Sequence, residues 1–199
     1  MLNVDVVLEN RRFRIEPLKI EHKDSLVVAA NDKKIWEQHP DKDRWKPEVF
    51  SEYFDTILAL GGGFAIIDKF AHGLGLIGMT RFYAHADYNP EEDINPKNHQ
   101  DWAIGFTFIQ RKYWGNGVNE IIKHMMLDYA FKTVESIWID ADPQNTRSLK
   151  AIKNLGCEAV YEDEFDYFGT GKPQFFVCHL MSKTMLSDKK KKMPKPYWE

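Results

Sequence analysis

One segment, residues 101–131, constrains the fold of this chain more than any other. Its first part alternates apolar residues with other residues, and this period of two indicates a β-strand with one apolar face. Its last part, residues 118–129, repeats apolar residues at helical spacing, which predicts an amphipathic helix. The strand residues expected on one face are Trp102, Ile104, Phe106 and Phe108. A strand, a short loop and a helix therefore follow one another here.

The loop between this strand and helix, residues 112–117, contains Gly115 and Gly117. The first turn of a helix has N–H groups without partners and a partial positive charge, so it binds an anion without a dedicated side chain. An ordinary strand-to-helix turn also favours glycine, so the segment alone leaves both interpretations open. The spacing matches neither a P-loop nor a dinucleotide-binding fingerprint.

A second strand and helix follow downstream. The apolar run at residues 137–139 predicts a strand, and residues 146–155 predict a helix that ends at Gly156. Asp142 and Asn145 are both suitable N-caps for this helix. Ser148 falls in its first turn.

The N-terminal half completes an α/β pattern. It predicts a strand at residues 12–18, helices at 21–31 and 47–60, and two strands at 64–68 and 74–83. The polar, acidic stretch at residues 84–100 predicts a long loop. No internal repeat is visible.

Composition supports one globular domain. The chain has 199 residues, of which 43% are hydrophobic, with a net charge of −3. We expect a domain over residues 1–186 and a lysine-rich tail over 187–199, and the aromatic end of the tail leaves a homodimer open. The N-terminus lacks a signal-peptide pattern, so we expect a soluble, cytoplasmic protein that binds neither nucleic acid nor membrane.

Metal and thiol chemistry are not expected. The two cysteines, Cys157 and Cys178, lack the C-x-x-C spacing of a zinc site, and the seven histidines include no H-x-x-x-H pair. Both cysteines lie in predicted strands, where a small buried residue is typical. We therefore predict no metal and no covalent acyl-cysteine.

Six blocks in order carry a resemblance to a known family. They are FRIEPL at residues 13–18, DKKIW at 32–36, LIGMTR at 76–81, IGFTF at 104–108, GNGVN at 115–119 and NTRSLKAIKNLG at 145–156. Together they resemble the GNAT superfamily of N-acetyltransferases, and within it the branch that acetylates the N-terminal alanine or serine of ribosomal proteins.

The resemblance implies a mixed α/β fold with a mostly antiparallel sheet, splayed fourth and fifth strands and flanking helices. It also implies that acetyl-coenzyme A is the co-substrate, with its pyrophosphate on the loop and its pantetheine arm along the preceding strand. The implied coenzyme-binding residues are Phe106, Phe108, Ile109, Lys112, Trp114, Gly115, Asn116, Gly117, Val118, Asn119, Asn145 and Ser148.

Two departures from the family bear on the mechanism. Many members have a tyrosine acid at the position of Ile152 and a glutamate at the position of Ala103. Ser148 is our replacement candidate near the coenzyme sulfur. A protonated amine must lose a proton before it attacks a thioester, so a base is also expected. The candidates for the base are Asp101, Glu162, Asp140 and His99.

The acceptor is expected to be a primary amine, either a protein N-terminus or a small molecule. By the resemblance, Trp36, His39 and Trp45 line its site, and Glu91 and Glu92 of the acidic loop attract a cationic amine. Fold and cofactor do not name the acceptor. A non-catalytic module that binds or senses acyl-coenzyme A is the alternative from another class.

Overall fold

The computed structural model describes residues 2–85, 102–168 and 170–192. In chain order the strands are β1 Leu8–Glu9, β2 Phe13–Pro17, β3 Gly63–Asp68, β4 Leu76–Ala84, β5 Trp102–Ile109, β6 Ser136–Ala141, β7 Glu158–Phe165 and β8 Gln174–Ser182. The helices are α1 Lys23–Ala30, α2 Lys33–Trp36, α3 Pro47–Leu60, α4 Val118–Ala130, α5 Thr146–Leu155 and α6 Lys183–Lys192, with 3-10 turns at Ile20–His22 and Arg111–Tyr113. All eight strands form one sheet in the order β1-β2-β3-β4-β5-β6-β8-β7.

The sheet has a hydrophobic core on each face. Strand β3 shows the division, because Phe64 and Ile66 belong to the core under α4 and α5, while Ala65 belongs to the core under α1, α2 and α3. Helices on both faces leave β3 almost entirely buried, which is the layered arrangement expected for a mixed α/β domain. The predicted fold class is confirmed.

Local end signals predicted several helices well. The helices expected at residues 47–60 and 146–155 are α3 and α5, with Pro47 in the first turn of α3 and left-handed Gly156 after α5. Asn145 is the N-cap of α5, since its side chain accepts a hydrogen bond from the Ser148 backbone N–H. Asp142 instead accepts from the backbone N–H of Gln144, 2.6 Å away.

The predicted single apolar face of β5 is wrong. Trp102 and Ile104 lie in the core under α4, but Phe108 lies in the core on the opposite face. The register with β4 shifts between Met79 and Arg81, and Phe106 there has a φ of 52°. An extra residue on β5 forms a β-bulge, and one inserted residue exchanges the two faces for everything after it.

Strands β5 and β6 are the splayed pair. They are the one parallel pair in the described sheet, and they pair at Trp102↔Ile137 and Ala103↔Trp138. Beyond these positions β5 continues to Ile109 and β6 to Ala141 with no further pairing between them. The strands therefore diverge and leave a cleft through the sheet, as the resemblance implies.

The chain after β8 forms α6, which crosses the expected domain limit at residue 186. Leu186 is buried in the core under α4. Lys190 contacts Asp128 of α4 at 2.5 Å, and Lys189 contacts Glu120 at 3.3 Å. At least this part of the lysine-rich segment is therefore attached to the domain by packing and ion pairs. Residues 193–199 lie outside the described residues, and the homodimer stays a prediction.

Candidate active site

A cavity of about 590 Å³ occupies the cleft between β5 and β6 and reaches both faces of the sheet. On the α4 side its lining includes Gly117, Val118 and Ile152, and on the other side it includes Tyr83 and Tyr167. One continuous space therefore joins the glycine loop to a set of aromatic side chains across the sheet.

The glycine loop leads directly into α4. Gly115 and Gly117 have φ values of 74° and 71°, in the left-handed region that favours glycine. Gly117 is the N-cap of α4 and offers no side chain to cap it. The first N–H groups of α4 are therefore available to an anion, which is the geometry predicted for the pyrophosphate.

Trp114 and Arg147 hold the loop in place. The Trp114 indole N–H donates to the Ile109 carbonyl at 2.9 Å, and the Arg147 guanidinium lies 4.1 Å from the Trp114 ring centroid. Arg147 also donates to the carbonyl oxygens of Ile35 and Lys34, at 2.7 and 3.3 Å. Arg147 thereby joins the start of α5 to α2 and to the loop, a role that the sequence did not indicate.

Most residues predicted to bind the coenzyme line the cavity. Those that do are Phe106, Phe108, Ile109, Trp114, Gly115, Gly117, Val118, Asn119, Asn145 and Ser148. Lys112 and Asn116 are exposed on the loop and are not among the lining residues. For all twelve residues, the assignment to the coenzyme stays a prediction.

Two of the three residues predicted for the acceptor wall lie at the cavity, and their contact with an acceptor stays a prediction. Trp36 and His39 line the cavity, while Trp45 packs against the core under α3 and is not part of the lining. Burial and the guanidinium groups of Arg44 and Arg147 hold the pKa of His39 well below its usual range. His39 is therefore a neutral wall residue at physiological pH.

Arg44 is a wall residue that sequence reasoning missed. Its guanidinium stacks on Tyr53, 3.9 Å from the ring centroid, and forms an ion pair with Asp41. It also lines the cavity. Trp36 and His39 were predicted site residues of this segment, but no sequence pattern indicated that Arg44 lies beside Tyr53.

Beyond the cleft, five aromatic side chains form what we call the aromatic chamber. They are Tyr83, Phe106, Tyr167, Phe168 and Phe176, and all five line the cavity. The Tyr83 ring lies 5.0 Å from Phe106 and 5.3 Å from Tyr167, both in edge-to-face contact. Except for Phe106, these residues were not predicted, because segments far apart in the sequence supply them.

A carboxylate lies at the base of the aromatic chamber. Asp140 accepts hydrogen bonds on one oxygen from the hydroxyl groups of Tyr83 at 3.0 Å and Tyr167 at 2.6 Å. Its other oxygen lies 3.1 Å from His85 Nε2. Burial, with the nearby Asp140 charge, raises the pKa of both tyrosines well above the usual range, so both stay protonated and donate.

The remaining base candidates lie elsewhere. Glu162 is exposed on β7 and is not among the residues that line the cavity. Asp101, His99, Glu91 and Glu92 fall outside the described residues. Of the four predicted bases, Asp140 is the one that the described structure brings to the cavity.

Both cysteines are poor nucleophiles here. Burial raises the pKa of Cys157 and of Cys178 to about 12, so neither thiol ionises near neutral pH. The donor atoms of His85, Asp140 and Cys178 lie within 4.8 Å of one another, close enough to share an ion. Hydrogen bonds within the protein already use both oxygens of Asp140, so this group is satisfied without a metal. The predicted absence of a metal stays a prediction.

Lys123 is a second residue that sequence reasoning missed. Its amine is buried beneath α4, lines the cavity and donates to Thr107 Oγ1 at 2.7 Å. Burial lowers its pKa to about 7. The apolar stripe predicted for α4 omitted it, because the structure buries four consecutive residues at 121–124 where an ordinary amphipathic helix would expose some of them.

Comparison of the sequence with family models decides which family this chain belongs to. The model described as an acetyltransferase (GNAT) domain matches residues 12–158, about three quarters of the chain. The chain belongs to the GNAT acetyltransferase family. The expected acetyl-coenzyme A-dependent N-acetyltransferase is thereby confirmed at the level of the family. A comparison with curated proteins gave no match.

Solved structures of GNAT proteins share the fold. A GCN5-related N-acetyltransferase from Brucella melitensis has a TM-score of 0.70 at 14% identity, over 96% of this chain and 85% of that chain. Ribosomal-protein-S5-alanine acetyltransferase from Vibrio fischeri has a TM-score of 0.60 at 17% identity, over 89% of this chain and 97% of that chain. RimJ from Mycobacterium smegmatis, solved with CoA-disulfide, has a TM-score of 0.63 at 13% identity, over 92% of this chain and 90% of that chain. The suspected branch is thus among the structures similar to this GNAT chain.

At the two positions where the chain departs from the GNAT pattern, the side chains are apolar and buried. Ile152 is buried and lines the cavity, so no acid stands at that position. Ala103 is buried beside Tyr83 and Tyr167. None of the described helices combines the length and apolar character needed to cross a membrane.

Proposed function

We propose that this GNAT protein acetylates the α-amine of a protein N-terminus. One observation carries the proposal: a single cavity runs from the amides at the start of α4, through the cleft between β5 and β6, into the aromatic chamber. A coenzyme and an amine that enter from opposite faces of the sheet meet in this cleft. The fold shared with a ribosomal-protein alanine acetyltransferase supports a protein N-terminus as the acceptor.

The coenzyme side is suited to a long anionic ligand. The loop at residues 112–118 and the first turn of α4 hold the pyrophosphate through backbone N–H groups. After Ala103, β5 is no longer paired with β6, so its edge is free to bind the extended pantetheine arm as an added strand would. The cavity lining at Asn145 and Ser148 then faces the far end of that arm.

The chemistry is direct attack of a neutral amine on the thioester. Rate is gained from positioning of the two substrates and from backbone N–H groups of β5 that polarise the thioester carbonyl. Ser148 is the residue placed to donate a hydrogen bond to the leaving sulfur, since Ile152 cannot. Binding by the chain orients both substrates, and no covalent enzyme intermediate is needed.

Calorimetry with acetyl-coenzyme A, followed by thiol-release assays, tests the proposal. We expect binding, and thiol release with short peptides that have free N-terminal alanine or serine. The same peptides with a blocked N-terminus and an internal lysine are the matched control and are expected to release no thiol. Absence of coenzyme binding contradicts the proposal.

Two other functions give different results in the same assays. A small-molecule acetyltransferase releases thiol with polyamines or amino sugars and not with peptides. A module that only senses acyl-coenzyme A binds the coenzyme without turnover, and the apolar residues Ile152 and Ala103 are the observation that favours it. Each result contradicts a peptide acceptor.

A further inference from the structure

Asp140 stands next to the point where the sheet opens. The last paired positions of β5 and β6 are Ala103 and Trp138, and Asp140 follows Trp138 by two residues on the same face of β6. Ile139 and Ala141, between and after them, belong to the core under α4. The Asp140 side chain therefore points away from α4, to the face that carries the aromatic chamber.

The Asp140 carboxylate is buried, and within the described residues it forms no ion pair with a lysine or arginine. Its side chain is 2% exposed, and among the described residues its ion-pair partner is His85 alone. Neutral donors, the hydroxyl groups of Tyr83 and Tyr167, occupy one oxygen. These two hydroxyl groups and His85 fill three of the roughly four acceptor sites of a carboxylate, and Asp140 lines the cavity, so it can accept one more donor from a ligand there.

The walls around Asp140 suit the same kind of ligand. The aromatic chamber presents several ring faces and edges within about 6 Å of one another, since Phe106 lies 5.8 Å from Tyr167 and 5.6 Å from Phe168. Ring faces attract an ammonium group, and this attraction is stronger where water is excluded. Arg81 already lies 5.3 Å from the Phe106 ring centroid and 5.9 Å from that of Tyr83, and Arg44 lies 5.6 Å from that of Phe168. The Asp140 carboxylate and the rings of Tyr167 and Phe176 match a primary ammonium.

We propose that Asp140 receives the ammonium group of the acceptor and takes one of its protons. This inference rests on the proposed function and names the base for it. Ala103, at the last paired position of β5, carries no carboxylate and is buried with Tyr83 and Tyr167, whose hydroxyl groups donate to Asp140 of the neighbouring strand β6.

The step balances without a further reactant. One proton moves from the ammonium nitrogen to an Asp140 oxygen, and the neutral nitrogen then forms a bond to the acetyl carbonyl carbon. The carbon–sulfur bond breaks, and the thiolate leaves with the electron pair. A second proton from the nitrogen neutralises the thiolate, and Asp140 returns the first proton to solvent. The products are the N-acetyl amine and the free thiol.

Several titratable groups face Asp140 and define what its substitution reports. Tyr83 lies on β4, and His85 comes directly after the end of β4. Tyr167 lies in the turn after β7, and Cys178 lies on β8. Tyr161 of β7 also interacts with Cys178 and Asp140. The tyrosines and Cys178 have raised pKa values, so they stay protonated near neutral pH.

The first test substitutes Asp140→Asn and measures kcat/KM for a peptide α-amine as a function of pH. We expect at least a ~100-fold loss at pH 7, the usual contribution of a general base. The loss of kcat/KM becomes smaller above about pH 8, because the free peptide amine is already neutral there. The matched control is Glu164→Gln, an exposed carboxylate on β7, with wild-type values expected. An Asp140→Asn enzyme within threefold of wild type overturns the inference.

The second test covers the case in which Asp140→Asn fails to fold. Tyr167→Phe removes one hydroxyl donor from the carboxylate and keeps the ring. We expect the acid limb of the kcat/KM profile to move to higher pH, because the charged carboxylate is held less firmly. A limb at the wild-type pH contradicts the inference, and so does activity that EDTA abolishes, since the carboxylate then serves a metal.

Coenzyme binding separates this inference from the proposed function. Wild-type protein that binds no acetyl-coenzyme A contradicts the proposed function itself. Wild-type protein that binds it and acetylates peptides, while Asp140→Asn matches wild type in both respects, contradicts the role of Asp140 alone. The expected result is unchanged coenzyme affinity with lost turnover.

Discussion

At the scale of the residue, Lys123 shows how burial changes chemistry. Its amine is buried with Thr107 and Thr80 as hydrogen-bond partners, at 2.7 and 3.4 Å, and burial lowers its pKa from 10.5 to about 7. An unfolded chain keeps the ordinary lysine pKa. Between these two values the unfolded state binds more protons than the folded state, so stability rises with pH across this window.

We therefore expect Lys123→Met to stabilise the protein most at pH 7 and least near pH 9.5. The stability difference between the variant and wild type should shrink by about 3 kcal/mol over this range, following the pKa difference. Urea unfolding at a series of pH values measures it. Lys132→Met, an exposed lysine just after α4, is the control and should show no such trend. A difference independent of pH contradicts the buried, titrating amine.

Gly117 is the residue that tests the anion site. Gly117→Asp should weaken binding of acetyl-coenzyme A by at least about tenfold, because a negative charge then stands at the start of α4, where we propose that the pyrophosphate binds. Gly117→Asn is the matched control, since asparagine has nearly the same shape, tolerates the left-handed conformation and carries no charge. Calorimetry on both variants isolates the charge. Equal affinities for the two contradict the site.

Ser148→Ala separates catalysis from structure in α5. The Asn145 cap uses the backbone N–H of Ser148 and not its hydroxyl, so the substitution leaves the cap intact and the melting temperature should stay within a few degrees. If the hydroxyl serves the leaving thiolate, kcat falls by about tenfold or more while the coenzyme Kd does not change. Unchanged kcat and Kd would assign Ser148 a structural role alone.

At the scale of the element, the bulge in β5 organises the site. It turns Phe106 and Phe108 away from the α4 face and brings Thr107 to that face, where Thr107 accepts a hydrogen bond from Lys123. Gly105, just before the bulge, is required because a side chain would not fit there, and not because the backbone must be flexible. A β-carbon there would lie 2.9 Å from Tyr83 Cε1 and 3.0 Å from its hydroxyl oxygen. The glycine therefore leaves room for the ring that binds Asp140.

Gly105→Ala is expected to displace Tyr83 and weaken its hydrogen bond to Asp140. We expect a loss of about 1 to 3 kcal/mol in the free energy of unfolding, as for other overpacked sites, and a lower kcat with coenzyme affinity retained. A double-mutant cycle with Tyr83→Ala identifies the cause. In that background the penalty should largely vanish. A penalty of the same size in both backgrounds places the clash elsewhere.

At the scale of the whole molecule, the elements whose ends are set by neighbouring residues were predicted well from the sequence. Pro47 and Gly61 bound α3, and Asn145 and Gly156 bound α5, because capping and helix termination depend on a few neighbouring residues. The order of the β5 strand, the glycine loop and α4 follows from the same kind of local pattern. These elements carry most of the predicted coenzyme site.

The sequence by itself determined the family, the helices and the glycine loop at the start of α4, since residues close together in the chain specify each of them. Tertiary structure alone decided which side chains surround the cleft on the side of Tyr83 and Asp140. Tyr83 and Asp140 are 57 residues apart, and Tyr167 is 27 residues beyond Asp140. They meet because β6 lies beside β5 and β8 in the sheet, and the bulge changes which side chains face them. A periodic pattern shows neither an inserted residue nor the neighbour of a strand, so the sequence left Asp140 as one of four candidate bases, and only the assembled sheet showed its contacts and the aromatic chamber.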